Sequence, residues 1–188
     1  MQRPSRRWHA TTSTAFTGWF EMRRFAALAL ALALLVLLLS GCEQARRTPL
    51  IENNVSLRQH LATHGRATTA PRTWLIAPKD FPGAPDEIAP EFDLTVELLG
   101  AAFDSVTASL PNVESVGKWN LTRCLITETP LMRFIDDVCA DIIALDGARS
   151  TLALYSASRF GYYDFKTNRD RLHRWLEDLH ASLARSPN

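Results

Sequence analysis

The chain has 188 residues, of which 46% are hydrophobic, and its 21 Lys and Arg nearly balance its 20 Asp and Glu. This length suits one domain of ordinary size. The net charge of +1 excludes a dedicated nucleic-acid binder, which would carry a basic excess, so no nucleic-acid partner is expected. Composition also excludes a collagen-like fibre and a disulfide-dense mini-protein, whereas membrane attachment stays open.

An unbroken apolar stretch runs from Phe25 to Leu39, directly after the basic pair Arg23 and Arg24. Its 15 residues fall short of the roughly 20 that a membrane-spanning helix requires. A basic stretch, an apolar segment and then small residues form the pattern of a secretory signal peptide. We therefore predict a signal peptide over residues 1–41.

The segment Leu39-Ser40-Gly41-Cys42 resembles a bacterial lipobox. That resemblance implies cleavage before Cys42, a diacylglycerol on its sulfur and an acyl chain such as palmitate on the new amine. Two or three acyl chains anchor a protein stably, whereas one binds only marginally. The residue after Cys42 is Glu43 and not Asp. By the sorting habit of Gram-negative lipoproteins, this favours the outer membrane, with the protein facing the periplasm. The alternative is a short transmembrane helix with a chance cysteine.

The first 21 residues show no periodicity, and Met22 opens the basic stretch. We interpret residues 1–21 as a mis-called start, which any precursor peptide from upstream of Met22 would contradict. Beyond the anchor, residues 42–72 are polar and are predicted to be a lipid-anchored tether, in which Leu57 to His64 is a candidate short helix. Trp74 to Ala77 is predicted to be an edge strand, and the proline-rich residues 78–92 a loop.

Periodicity predicts the remaining elements of a globular domain over residues 73–188. A helix capped by Asp93 runs to about Ala108, a strand follows at 113–119, and residues 121–127 form either another strand or its continuation. Alternation predicts a strand from Leu131, a hairpin at Asp146-Gly147, a return strand at 150–158 and a final helix from Thr167 to about Ala184. The fold class is α+β, with an antiparallel sheet of about four strands and both helices on one face.

Asp136 stands out because alternation places it with Phe134 and Val138 on the face of the strand that we expect to meet the core. A carboxylate in that position needs a hydrogen-bonded or charged partner. We predict Arg159, just beyond the return strand, because its planar fork matches a carboxylate. The pair is either an architectural salt bridge or part of a ligand site.

Three motifs carry a family resemblance: Arg133 to Val138 (RFIDDV), Ser156 to Asp164 (SASRFGYYD) and Asn168 to Arg171 (NRDR). Their order and spacing resemble the family called domain of unknown function 1499, over about residues 73–184. The resemblance implies an α+β fold and membrane-tethered relatives, but no established reaction. The motif residues that it marks are Asp136, Asp137, Ser156, Ser158, Arg159, Gly161, Asp164, Asn168, Arg169 and Arg171. Two positions depart from the family pattern, with Tyr155 in place of an arginine and Lys166 in place of a glycine.

The basic residues Arg169 and Arg171 lie in the first turn of the final helix, where cations are unfavourable. Their partners are either internal carboxylates, Asp164 and Asp137, or an external anion near Arg159 bound at the helix N-terminus. Losing anionic-headgroup binding in Arg159→Ala would support the second alternative.

The sequence contains few residues in arrangements typical of catalytic sites. Ser156 and Ser158 have no evident histidine base, and His60 and His64, although four residues apart, lie in the predicted tether without further ligands. No metal site and no cofactor are therefore expected. Cys124 and Cys139 fall in successive strands that could pair around residues 130–133, which makes them either a disulfide or two buried thiols.

The sequence thus predicts a membrane-anchored lipoprotein of the bacterial envelope with a binding or structural domain, not an enzyme. Its expected partners are the membrane, through the lipid anchor, and either an anionic ligand or an envelope protein. The alternatives are an acid/base enzyme that uses Asp136 or Asp164 and a carrier of lipids or other hydrophobic ligands. An open cleft that holds Asp136 with Arg159 would favour the enzyme or an anion site, and a closed surface an interaction module.

Overall fold

The computed structural model describes residues 28–37, 48–66, 72–129, 133–161 and 163–185, in two compact units, Met1–Arg46 and Arg47–Asn188. In the first unit, residues 28–37 are helical, and we label them α1. Within the described ranges, no helix combines the length and hydropathy needed to span a bilayer. The predicted cleavage site and Cys42 lie outside the described residues.

The described residues of the second unit form three helices and seven strands. The helices are α2 (Leu57–His64), α3 (Val96–Ser109) and α4 (Thr167–Arg185). The strands are β1 (Thr73–Ala77), β2 (Glu87–Ile88), β3 (Glu91–Phe92), β4 (Val113–Trp119), β5 (Thr122–Glu128), β6 (Ile135–Ala144) and β7 (Ser150–Ser158). The predicted α+β class is therefore confirmed.

All seven strands form one sheet in the order β2-β1-β7-β6-β5-β4, with β3 also paired to β7. Pairing is antiparallel except between β1 and β2. The prediction of about four strands is too low. β2 and β3 lie in the stretch predicted as a loop, and two residues are too few to show an alternating pattern. β1 is also not a free edge, since β2 pairs with its outer side.

The two long helices pack on one face of the sheet, as predicted. Their core includes Leu99 and Phe103 of α3 with Leu172 and Trp175 of α4. α3 begins two residues later than expected, because Thr95 and not Asp93 caps it: Thr95 Oγ1 accepts a hydrogen bond from the Leu98 amide at 3.4 Å.

The opposite face is covered by the segment that was expected to be a tether. Ile51, Leu57 and Leu61 are at most 2% exposed and pack with Tyr155 and the two cysteines. Leu57 and Leu61 lie four residues apart, so they share one face of α2 and bury together. Residues 48–64 therefore belong to the folded body, and the candidate helix from Leu57 to His64 is part of it.

β5, β6 and β7 form the centre of the sheet. The β6–β7 hairpin turns at Asp146-Gly147 as predicted, and β7 has the predicted bounds. Cys124 of β5 lies directly opposite Cys139 of β6, and the two form a buried disulfide. Of the two alternatives for these cysteines, the disulfide is confirmed.

Candidate functional site: three buried aspartates of one strand

β6 carries three aspartates, Asp136, Asp137 and Asp141, which are only 2%, 3% and 6% exposed. Because side chains alternate along a strand, Asp136 faces α4, whereas Asp137 and Asp141 face the side that α2 covers. A buried carboxylate is costly unless it is paired or hydrogen-bonded. Asp136 and Asp137 are paired with arginines and Asp141 is hydrogen-bonded, and each of the three ties a different segment to the sheet.

Asp136 is paired with Arg171 of α4, whose Nη2 lies 2.5 Å from Asp136 Oδ2. Arg171 Nη1 also donates to Ser156 Oγ at 2.8 Å and to Asn168 Oδ1 at 2.6 Å. Ser156 in turn donates to Asn168 Oδ1 at 2.6 Å. These four side chains form a buried network between the sheet and the first turns of α4, with every exposure at 6% or less.

Asn168 connects this network to the start of α4. Its Nδ2 group donates to Ser158 Oγ at 3.0 Å, to the Arg72 carbonyl at 2.8 Å and to Asp164 Oδ2 at 2.8 Å. The Asp164 carboxylate also accepts the backbone N–H groups of Lys166 and Asn168. Asp164 thus supplies the negative charge that a helix N-terminus favours.

Asp137, on the other face, is paired with Arg159. Arg159 Nε and Nη2 donate to its two carboxylate oxygens at 2.8 and 2.7 Å, and Nη2 also donates to the Thr48 carbonyl at 2.7 Å. Burial raises the pKa of Asp137 above its ordinary value, and the Arg159 guanidinium opposes this only in part. This pair holds residue 48 against the end of the sheet.

The predicted pairing of Asp136 with Arg159 is therefore wrong. In the observed register Ser158 lies opposite Asp136, so Arg159, one residue further, extends from the other face. The prediction that Asp136 lies on the Val138 face and needs a partner is confirmed. The partner comes from α4 instead of the strand end.

Asp141 was not among the predicted site residues. Its Oδ1 accepts from the Leu57 amide at 3.0 Å and from Thr122 Oγ1 at 2.6 Å, and its Oδ2 accepts from the Arg58 amide at 2.9 Å. The carboxylate therefore sits at the N-terminus of α2 and docks that helix on the sheet. Its i,i+4 spacing from Asp137 on the same strand face was the available signal.

The other motif residues lie at the margin of these networks. Arg169 is directed to Asp170 on the surface at 2.8 Å. Gly161 has a φ of +89°, and its carbonyl accepts from Arg72. Tyr155 is fully buried on the α2 face, away from the Asp136 network. Lys166 has a φ of +68°, so it keeps the left-handed backbone that a glycine would adopt there.

The described residues also include histidines in local contacts and two open grooves. His60 and His64 stack at 4.9 Å, and His173 bonds to Glu87. No group of three or more His, Cys, Asp and Glu among the described residues could hold a metal. An open groove of about 470 Å³ beside α2 reaches Asp141 but not the Asp136 network. A second, of about 240 Å³, contains the charged side chains of Asp104, Lys118 and Arg123.

These observations define an α+β domain in which buried arginine–aspartate pairs and a cross-strand disulfide tie the sheet to its flanking segments. The model of the family described as "Protein of unknown function (DUF1499)" matches residues 84–179, just over half of the chain, and the chain belongs to that family. The predicted family is thus confirmed. No curated protein matches the chain significantly.

Proposed function

We propose that this chain is a lipid-anchored protein of the bacterial cell envelope, held at Cys42 and facing the periplasm, whose domain is a non-catalytic binding or structural module. The basic and apolar pattern before Cys42 supports export. The buried disulfide between Cys124 and Cys139 adds independent support, because such bonds persist in the periplasm and are rare in the cytosol. Glu43 favours the outer membrane over the inner one.

A non-catalytic module is favoured over an enzyme because the charged side chains of the motif are bound to groups within the domain. Asp136 is 2% exposed and bound to Arg171, and the Asp164 carboxylate is engaged by the N-terminus of α4. A general acid or base must reach the proton that it transfers. Asp136 is buried within the domain, and the Asp164 carboxylate is occupied by backbone N–H groups at the start of α4. This argues against a role for either as a general acid or base.

The anion-site and carrier alternatives receive less support. Arg159 directs Nε and Nη2 to Asp137 and Thr48, so an external anion there would have to displace an internal carboxylate. A lipid carrier needs an apolar cavity, whereas both grooves described above are open and include charged side chains in their lining, Arg58 and Asp141 in one and Asp104, Lys118 and Arg123 in the other.

The test is intact mass spectrometry of the protein purified from membranes, with extraction of any bound small molecules. We expect an N-terminus at Cys42 that carries acyl chains, and no stoichiometric small ligand. A Cys42→Ser variant, as the control, should keep its signal peptide and lack the acyl mass. An unmodified Cys42 in the membrane fraction would reject the anchor. A phospholipid or other anion that co-purifies stoichiometrically would reject a module that binds no small ligand. It would favour the anion site or the carrier instead.

A further inference from the structure

Four aromatic side chains are exposed at one end of the sheet. They are Phe134, just before β6, and Phe160, Tyr163 and Phe165, in the connection from β7 to α4, with exposures of 45%, 66%, 59% and 85%. The other large apolar side chains exposed on the described part of this unit are aliphatic and lie elsewhere. We call these four residues the aromatic end.

The aromatic end is held together by the sheet and not by its own packing alone. The Arg159 amide donates to the Ile135 carbonyl at 3.4 Å, so Phe134 and Phe160 flank one backbone hydrogen bond. The Tyr163 and Phe165 rings lie 5.7 Å apart. Exposed apolar surface gathered in one place marks a contact with a partner or a membrane, unlike single scattered side chains.

The entry point of the N-terminal segment lies at the same end. Thr48 is bound through its carbonyl to Arg159, the residue that precedes Phe160. Thr48 lies six positions after Cys42, and a chain segment of that length spans about 20 Å at most. If Cys42 carries the lipid, Thr48 must therefore stay within about 20 Å of the acylated residue, and the aromatic end begins beside Arg159, which holds Thr48.

The charges beside the aromatic end narrow the chemistry of its partner. Arg133 is paired with Glu128 at 2.5 Å, and Arg169 with Asp170 at 2.8 Å. Lys166, between Phe165 and the start of α4, is exposed, so this end carries basic charge and would not attract a strongly basic protein. The Tyr163 ring suits the membrane–water interface, where amphipathic aromatic groups concentrate, and the Phe rings supply apolar surface that can be buried at the acyl boundary.

We infer that the aromatic end docks the domain onto the bilayer surface, with Phe160, Tyr163 and Phe165 at the level of the lipid headgroups. This inference rests on the proposed anchor at Cys42. The lipid and the aromatic rings then form two attachments separated by a short chain, which fixes which end of the sheet faces the membrane. The β6–β7 hairpin, about 33 Å away along the ten residues of β6, faces the periplasm.

The test compares tryptophan probes at the two ends of β6. Two variants of the mature acylated protein are made, Phe165→Trp and Leu145→Trp. Each is reconstituted into vesicles of phosphatidylethanolamine and phosphatidylglycerol with brominated acyl chains. Leu145 lies in the hairpin and is 40% exposed, which makes it the matched control. Protein without an added tryptophan supplies the baseline. We expect bromine to quench the probe at 165 about twofold or more over the probe at 145, because interfacial groups sit at the acyl boundary.

Two outcomes would overturn the docking. Equal quenching at the two positions would mean that the domain has no preferred face. A probe at 165 that is shielded from acrylamide but not quenched by the lipid would mean that protein, such as a second copy of the chain, covers the aromatic end. The mass of Cys42 is measured on the same sample. A missing acyl group therefore reports failure of the anchor, whereas an acylated Cys42 with equal quenching reports failure of the docking alone.

Discussion

Asp136 and Asp137 are adjacent in sequence, yet they serve opposite faces of the sheet. Asp136 holds α4 through Arg171, and Asp137 holds residue 48 through Arg159. Replacing a buried ion pair with apolar groups is often tolerated, whereas removing one partner leaves an uncompensated charge. The two pairs therefore hold α4 and residue 48 to the sheet. We expect the stability of the domain to fall when a single partner of either pair is replaced.

Arg171→Met is expected to lower the free energy of unfolding by about 3–5 kcal/mol, because Asp136 would stay buried without its cation. The double variant Asp136→Leu with Arg171→Met should recover much of that loss. Urea denaturation followed by circular dichroism measures both. Arg169→Met is the matched control, since Arg169 pairs with Asp170 at the surface and such pairs contribute only about 0–1 kcal/mol. Equal losses for Arg171→Met and Arg169→Met would contradict the buried role.

The raised pKa of Asp137 predicts a pH dependence of stability. Because burial raises this pKa in the folded state, the native protein binds the proton more tightly than the unfolded chain does. Stability from this group is therefore highest at acid pH and falls as the pH rises from the unfolded value of about 3.9 through the raised native value. Asp137→Asn removes the effect.

The corresponding measurement is the free energy of unfolding of the wild type minus that of Asp137→Asn, taken from acid to neutral pH. We expect the difference to shrink with rising pH. A difference that grows instead would show that the Arg159 pairing outweighs burial and that the pKa is lowered.

Local alternation was enough to place Asp136 on the core face, but it could not name the partner. Choosing between Arg159 and Arg171 depends on the β6–β7 register and on the position of α4, both of which are long-range. Cys124 and Cys139 were more predictable, because two strands joined by a short connection leave few registers open. Asp141 was missed because its partners are backbone N–H groups 84 and 83 positions away.

At the scale of elements, the strongly periodic segments were predicted, as were the short strand β1 and the candidate helix α2, whereas the two-residue strands were not. α4 and β7 have long apolar patterns and turn signals at their ends, so their bounds came close or matched. β2 and β3 exist because they pair with β1 and β7, and two residues carry no pattern of their own. α2 has few apolar residues, and its burial depends on the face of the sheet that it covers.

The turn before α4 contains two consecutive residues with left-handed backbone, Phe165 at φ +53° and Lys166 at φ +68°. A non-glycine residue in this conformation costs roughly 1–2 kcal/mol. Lys166→Gly is therefore expected to raise the free energy of unfolding by about 1 kcal/mol, after the greater entropy loss of glycine is deducted. Thermal and urea denaturation both measure it. Lys166→Ala is the control and should be near neutral, since it keeps the strain; a gain equal to that of glycine would contradict the backbone argument.

At the scale of the whole molecule, the disulfide joins β5 and β6 in the centre of the sheet, with a sequence separation of 15. A cross-link that closes a loop of this size stabilises a protein by about 3 kcal/mol, chiefly by restricting the unfolded chain. We expect the Cys124→Ala, Cys139→Ala double variant to lose about that amount. Urea denaturation of the double variant, beside wild type with and without reductant, measures it.

Two features separate this loss from a general packing defect. The wild type should lose stability in reductant, whereas the double variant should not respond to it. Stability of the wild type that is unchanged by complete reduction, with thiol titration as the check, would contradict a stabilising disulfide.

The bonds between Asp141 and α2 also determine the order in which the domain is completed. A polypeptide is synthesised from its N-terminus, so α2 is made long before Asp141, which lies 84 positions after Leu57. The sheet face on which α2 rests does not exist until β6 and β7 have been added. The first helix of the domain to be synthesised must therefore wait for the last strands before it reaches its place. During that interval the chain from Thr48 to His64 has no docking site, and the apolar side chains of Ile51, Leu57 and Leu61 have no sheet face to cover.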